Sequence, residues 1–283
     1  NPKQHILPNP KLINPKPQMN NLLTIAMRAA IKAGEVIMKI YDTDDFGVDM
    51  KSDNSPLTKA DLASHNVIME FLLETNIPIL SEEGKNIPYS DRKNWPQLWI
   101  VDPIDGTKEF IKKNGEFTVN IALIENQTPV LGVVYTPALN ELYFASKEIG
   151  AFKLNTKGLK KEIELEVMIE LSQNLPIKTG RTEYTVVASR SHMSPETETF
   201  IKELEKEHGK VNTISKGSSL KLCMVAEGQA DCYPRFAPTM EWDTAAGQAI
   251  CEAAGFRVLD QNTQKPMLYN RENLLNNYFL VTK

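Results

Sequence analysis

The stretch WIVDPIDGTKEF, Trp99 to Phe110, sets an apolar run against a group of polar residues. The run LWIV predicts a strand with a buried approach, yet it ends at Asp102, and Asp105, Gly106 and Thr107 follow closely. A buried carboxylate needs a cation or strong donors. Two carboxylates close together also repel unless a proton or a metal lies between them. Magnesium meets both demands, because it takes oxygen ligands and leaves positions for water and phosphate. Asp102 is placed to bridge two ions and Asp105 to face the second, while the turn brings the Ile104 carbonyl toward the first. Gly106 lets the backbone approach a ligand, and a helix starting there offers free N–H groups to an anion. Thr107 adds a hydroxyl that can orient a water. A metal site joined to an anion site is what phosphate-ester hydrolysis needs.

Working outward, Leu22, Ile25, Ala26, Ala29, Ala33, Val36, Ile37 and Ile40 recur at helical spacing and predict a helix over Asn21–Tyr41. A polar loop or short ribbon follows, then a helix from about Thr58 to Thr75 and a short strand, Ile77–Ser81, stopping at SEEG. After the 98–102 strand and a helix over about 106–113, FTVNIALIE, VLGVVYT, ELYFAS and AFKLN read as strands of an antiparallel sheet. Residues 155–180 are rich in Lys and Glu and form a seam. Beyond it, strands at YTVVAS, VNTIS and FRVLD alternate with helices at about 195–208, 218–227 and 243–254, which predicts an α/β half. The expected organisation is a first half over about 19–160 and a second over about 181–283. Residues 1–18, with five prolines, read as an irregular arm or a non-native leader ahead of Met19.

Composition narrows the function. The net charge of −4 argues against binding a nucleic-acid polymer, which needs a basic face. Three widely spaced cysteines, Cys223, Cys232 and Cys251, form neither a disulfide framework nor a zinc knuckle and suit a reducing cytoplasm. No apolar run is long enough to span a membrane.

Three further acidic positions sit where elements begin or end, each with a structural alternative. Thr58 and Asp61 form a capping-box pattern. Asp243 stands where an N-cap would. Glu82 and Glu83, in SEEG, could form a solvated turn; on an extended strand they would point oppositely, so that one would lie behind the other.

Together DPIDGT (102–107), WDTA (242–245), LTKAD (57–61) and SEEG (81–84) resemble, in order, the motifs of the inositol monophosphatase superfamily of metal-dependent phosphatases. The resemblance covers about 19–283 and implies an α+β, layered αβαβα sandwich. It implies that Glu82, Asp102 and the Ile104 carbonyl hold one Mg2+, and that Asp102, Asp105 and Asp243 hold a second. Asp61 and Thr107 would orient a water, directly or through a third, weaker ion. Glu83 and Lys51 would stand behind the ligands.

The continuation KEF (108–110), SRSH (189–192), and the segments 217–231 and 233–247 are similar to the 3'(2'),5'-bisphosphate nucleotidases of that superfamily. This implies removal of the 3'-phosphate from adenosine 3',5'-bisphosphate, or from its sulfated form, in sulfur assimilation and nucleotide recycling. Inhibition by lithium and by excess calcium is implied as well. Gly106, Thr107, His192, Ser218, Lys221, Arg235 and Asp243 match substrate-binding positions. Ser218 could instead cap a helix, Lys221 lie on the surface, Arg235 serve a local ion pair and His192 belong to a turn. The alternatives in function are an inositol monophosphatase or fructose 1,6-bisphosphatase, and a sensor that binds the nucleotide without cleaving it. A calcium-binding structural protein is disfavoured, because no EF-hand loop is present.

Overall fold

The computed structural model describes residues 15–43, 45–51, 56–159, 163–188 and 193–283. Helix α1 (Pro15–Tyr41) starts earlier than its apolar periodicity suggests, so residues 15–18 belong to a helix rather than to an irregular arm. Pro15 and Pro17 fall in the first turn, where backbone N–H groups have no intrahelical partner in any case. Residues 1–14 of the expected arm lie outside the described residues. Strands β1 (Asp49–Met50) and β2 (Pro56–Leu57) form the short ribbon, and α2 (Lys59–Leu72) follows.

Strand β3 (Ile79–Ser81), helix α3 (Tyr89–Arg92), β4 (Gln97–Asp105) and the short α4 (Thr107–Ile111) lead into β5 (Thr118–Glu125), β6 (Thr128–Thr136), β7 (Glu141–Ser146) and β8 (Gly150–Asn155). Helix α5 (Leu165–Glu170) and β9 (Gln173–Asn174) lie within the expected seam and extend the sheet. The seven strands run in sequence order from β3 to β9. From β4 onward the pairing is antiparallel, as expected, but β3 and β4 are parallel. The chain crosses through α3 between them instead of turning back in a hairpin.

Each face of this sheet meets a helical layer. Val119, Ile121 and Leu123 of β5 face α1 and α2, whereas Ala122 and Ile124 belong to the core on the other face. That division is the period-two alternation of a strand buried on both sides. The second face is covered by α7 (Leu220–Glu227) and α8 (Glu241–Ala253). Gly132 of β6 allows a close crossing there, since a Cβ would lie 2.3 Å from the Ala246 carbonyl oxygen of α8. Every residue of α7 is buried, as suits a helix enclosed between two β layers.

The outer β layer holds β10 (Tyr184–Ala188) and β11 (Val211–Ser215), which are parallel, and an antiparallel sheet of β12 (Tyr233–Arg235), β13 (Arg257–Asp260) and β14 (Phe279–Thr282). Helix α6 (Pro195–His208) packs against β10, β11 and β12 and completes an αβαβα stack. The expected alternation of strand and helix does not fix strand direction: among the described strands of the second half, β10 and β11 pair in parallel, whereas β12, β13 and β14 pair antiparallel.

Candidate active site

Because β3 and β4 are parallel, their carboxyl ends emerge side by side. Ser81 is in register with Val101, and the Glu82 amide donates to the Val101 carbonyl at 3.1 Å. Glu82 therefore arrives beside Asp102. Register with β5 slips between Asp102, opposite Asn120, and Asp105, opposite Thr118. In this bulge Pro103 has no N–H to give, and the Ile104 amide turns to the Asp102 carboxylate at 3.0 Å. The bulge redirects the chain so that both aspartates reach one place. Gly106 then takes φ +91°, with Glu116 backbone and Ser218 each 3.2 Å from where a Cβ would stand.

Carboxylate oxygens of Asp102, Asp105 and Asp243 lie within 4.8 Å of one another. Asp243 comes from the opposite side of the stack, in the first turn of α8. It is not the N-cap: Met240 holds that position, and its amide donates to the Asp243 carboxylate at 2.7 Å. Asp102 is 1 % exposed. Burial, followed by the charges of Glu82, Asp105 and Asp243, pushes its pKa well above the carboxylate range. Burial, with Asp105 adding to it, pushes Asp243 up to about 8. Glu82 is also raised by burial, against the pull of Lys51.

Lys51 donates to Glu82 at 2.8 Å and also to Glu83. The two glutamates therefore share one ammonium instead of pointing fully apart. Burial works against the Lys51 charge, but these bonds outweigh it and raise its pKa. An all-oxygen set this crowded fits a hard divalent cation.

Asp61 makes the expected helix cap and also reaches Thr107. One carboxylate oxygen accepts from the Thr58 amide at 2.7 Å and hydroxyl at 2.6 Å, closing the capping box of α2. The other accepts from the Thr107 hydroxyl at 3.1 Å. Burial is the main cause of the raised Asp61 pKa.

Beside the aspartates opens a cavity of about 380 Å³ lined in part by Gly106, Ser218, Lys221, Arg235 and Asp243. Lys221 is not a surface residue, being 8 % exposed. Its ammonium donates to the Lys216 carbonyl at 3.2 Å. Burial pushes its pKa down to about 8, with Asp105 opposing and Arg235 reinforcing the shift. Arg235 donates to the Pro238 carbonyl at 3.0 Å and enters no ion pair among the described residues. Ser218 precedes α7 and caps nothing: its φ is +47°, and its buried hydroxyl has no hydrogen-bond partner among the described residues. His192 lies outside the described residues.

Sequence reasoning passed over Ser219, Asn120 and Thr118, which bond to one another and to Asp105. The signal was present in FTVNIALIE, where two polar side chains interrupt a strand otherwise buried on both faces. Glu116 was also missed; its carboxylate accepts from the Gly217 amide at 2.8 Å and holds the GSS loop against the DGT turn.

The raised carboxylate pKa values have a thermodynamic consequence. A carboxyl that is more basic in the folded state binds its proton more tightly there. Stability is then highest below the unfolded pKa and falls as pH rises toward the folded one. For Asp243 that window runs from 3.8 to about 8. In chelator, the melting temperature is expected to fall as pH rises from about 5 to 8, by up to roughly 1.4 kcal/mol of stability per pH unit for each such group. Saturating magnesium should flatten the profile. A chelated melting temperature that rises steadily across this range contradicts the raised pKa values of the buried cluster.

The fold and the acidic cluster define a class. The model of the inositol monophosphatase family matches residues 18–281, and the chain belongs to that family of metal-dependent phosphatases. Within it, the chain is 46% identical over 265 residues to a Shigella flexneri protein named 3'(2'),5'-bisphosphate nucleotidase CysQ, covering 92% of this chain and 99% of that one. It is 45% identical, with the same coverage, to the protein of that name from Escherichia coli K12. The crystal structure of CysQ from Bacteroides thetaiotaomicron superposes with a TM-score of 0.87 at 54% identity, covering 93% of this chain and 97% of that one.

Proposed function

We propose that this chain is a magnesium-dependent 3'(2'),5'-bisphosphate nucleotidase, removing the 3'-phosphate of adenosine 3',5'-bisphosphate, or of its sulfated form, to release phosphate. The observation that carries the proposal is the triad Asp102–Asp105–Asp243, two members of which line the cavity that also holds Lys221 and Arg235. The Asp61–Thr107 hydrogen bond involves the residue two positions after Asp105. Names shared with relatives that are matched over nearly their whole length support the same substrate class.

Glu82, Asp102 and the Ile104 carbonyl would hold one ion, and Asp102, Asp105 and Asp243 another, with a third, weaker position toward Asp61. Bound there, magnesium neutralises phosphate charge and makes water a better nucleophile near neutral pH. Asp61 fixes the Thr107 hydroxyl, so that this pair aligns the attacking water. Backbone N–H groups at Gly106 and Thr107 would meet the phosphoryl oxygens. Lys221 and Arg235 supply the positive charge a second phosphate needs, with Arg235 able to grip it bidentately. Glu83 and Lys51 hold Glu82 in place. Three free, buried cysteines fit a reducing cytoplasm, and no described helix is long and apolar enough to cross a membrane.

Phosphate release from adenosine 3',5'-bisphosphate, inositol monophosphate and fructose 1,6-bisphosphate, compared in magnesium, tests the assignment. The nucleotide is expected to lead inositol monophosphate in kcat/KM by about two orders of magnitude, because that substrate has no second phosphate to pair with Lys221 and Arg235. A preference for either sugar phosphate overturns the substrate assignment. Binding of the nucleotide without release indicates a sensor.

A further inference from the structure

A chain of buried hydrogen bonds runs from the central sheet to the acidic cluster. The Thr118 hydroxyl donates to the Asn120 amide oxygen at 2.9 Å, and the Asn120 amide nitrogen donates to Ser219 Oγ at 2.8 Å. Ser219 Oγ lies 2.7 Å from Asp105 Oδ2 and 2.7 Å from the Asp243 backbone carbonyl. Thr118 and Asn120 share one face of β5, in register with Asp105 and Asp102 respectively. Ser219, 2 % exposed, enters from the opposite layer at the start of α7.

The proton count gives this chain a direction. Thr118 occupies the Asn120 carbonyl and leaves its N–H2 end facing Ser219. A hydroxyl has one proton. Once Ser219 accepts from Asn120, that proton points to the side where Asp105 and Asp243 lie. A carboxylate is the stronger acceptor of the two, because charge-assisted bonds are shorter and stronger. Asp105 Oδ2 is thereby held, in a carboxylate that has an oxygen within 4.8 Å of oxygens of Asp102 and Asp243. The same Ser219 atom touches the backbone of Asp243, so one hydroxyl sets the spacing between two carboxylates carried by opposite layers.

We infer that Ser219, aligned by Asn120 and Thr118, is a positioning residue that sets cation affinity at the Asp105–Asp243 side of the site. It rests on the metal-site assignment proposed above and goes beyond it, because none of these three residues is itself a ligand there. Partners that orient a ligand in this way typically change metal affinity by about 10–100-fold when removed.

The test is a titration of the full chain with Mn2+, following free Mn2+ by electron paramagnetic resonance and using no substrate. Ser219→Ala is expected to weaken one class of Mn2+ sites by about tenfold or more. In activity assays the Mg2+ needed for half-maximal rate should rise by a similar factor, and by more than kcat falls. Asn120→Ala leaves the hydroxyl in place but frees its proton to rotate, so it should weaken binding in the same direction and add little in the Ser219→Ala background. If Ser219→Ala melts too low to study, Asn120→Ala carries the test alone. Unchanged Mn2+ affinity in a variant with a native melting curve overturns the inference. Because no nucleotide is present, a wrong substrate assignment leaves this result standing. A wild-type chain that binds no Mn2+ overturns both the inference and the metal site.

Discussion

Asp102→Asn is expected to release phosphate about a thousandfold more slowly than wild type, or worse, and yet to melt at a higher temperature in chelator. Both effects follow from the same burial. Asp102 is almost wholly enclosed, and the charges of Glu82, Asp105 and Asp243 raise its pKa further. Asparagine keeps the shape and still accepts from the Ile104 amide, the 3.0 Å bond that holds the bulge. It also supplies an N–H2 group toward Glu82, where two carboxyls otherwise compete. What disappears is the charge proposed to be shared between two cations, and cation stabilisation of a phosphoryl transition state is worth several kcal/mol, or some three decades of rate. Steady-state phosphate release and thermal melts with and without Mg2+ provide the check. Wild type should gain stability from Mg2+ by mass action, and the variant should gain little. A near-normal rate, or a lower melting temperature in chelator, defeats the assignment of Asp102 as the shared ligand.

How much of the fold and site was legible in the sequence depended on the kind of signal. Acidic residues at element ends stand out because burial makes them costly, and Asp102, Asp105 and Asp243 do converge. The Thr58–Asp61 capping pattern was equally plain, since it depends only on local spacing. The parallel pairing of β3 with β4 was not legible, although it brings Glu82 to Asp102. Nothing local in ILS or LWIV encodes strand direction. Asp243 was misplaced by its helix start: Glu241 and Trp242 already belong to α8, which makes the aspartate its third residue. The Ser218–Ser219 doublet was half read. Which serine faces the carboxylates depends on the φ of +47° at Ser218, a backbone choice imposed by docking against Gly106 and Glu116. Long-range contact, not local propensity, decided each of these points.

Asp61→Asn separates two functions that this one side chain combines. The carboxylate caps α2 through one oxygen and holds the Thr107 hydroxyl through the other. An amide has one acceptor oxygen, so it can meet only one set of donors. Two Thr58 donors outweigh one hydroxyl that can rotate, so the amide oxygen should stay with Thr58 and the nitrogen should face Thr107. Thr107 Oγ1 then accepts, and turns its own proton toward the Ile104 carbonyl, 3.4 Å away. The helix cap survives while the pair proposed to align water is reversed. Turnover is expected to fall by about 10²–10⁴-fold, the usual contribution of a positioned acid–base group. The melting temperature in chelator should hold or rise, because a buried charge is removed. Thr58→Ala should do the opposite: lose about 1 kcal/mol of helix capping, melt a few degrees lower, and keep most of its rate. Paired rate and melting measurements on the two variants decide the matter. If Asp61→Asn loses stability and rate in the same proportion as Thr58→Ala, Asp61 is a helix cap and nothing more.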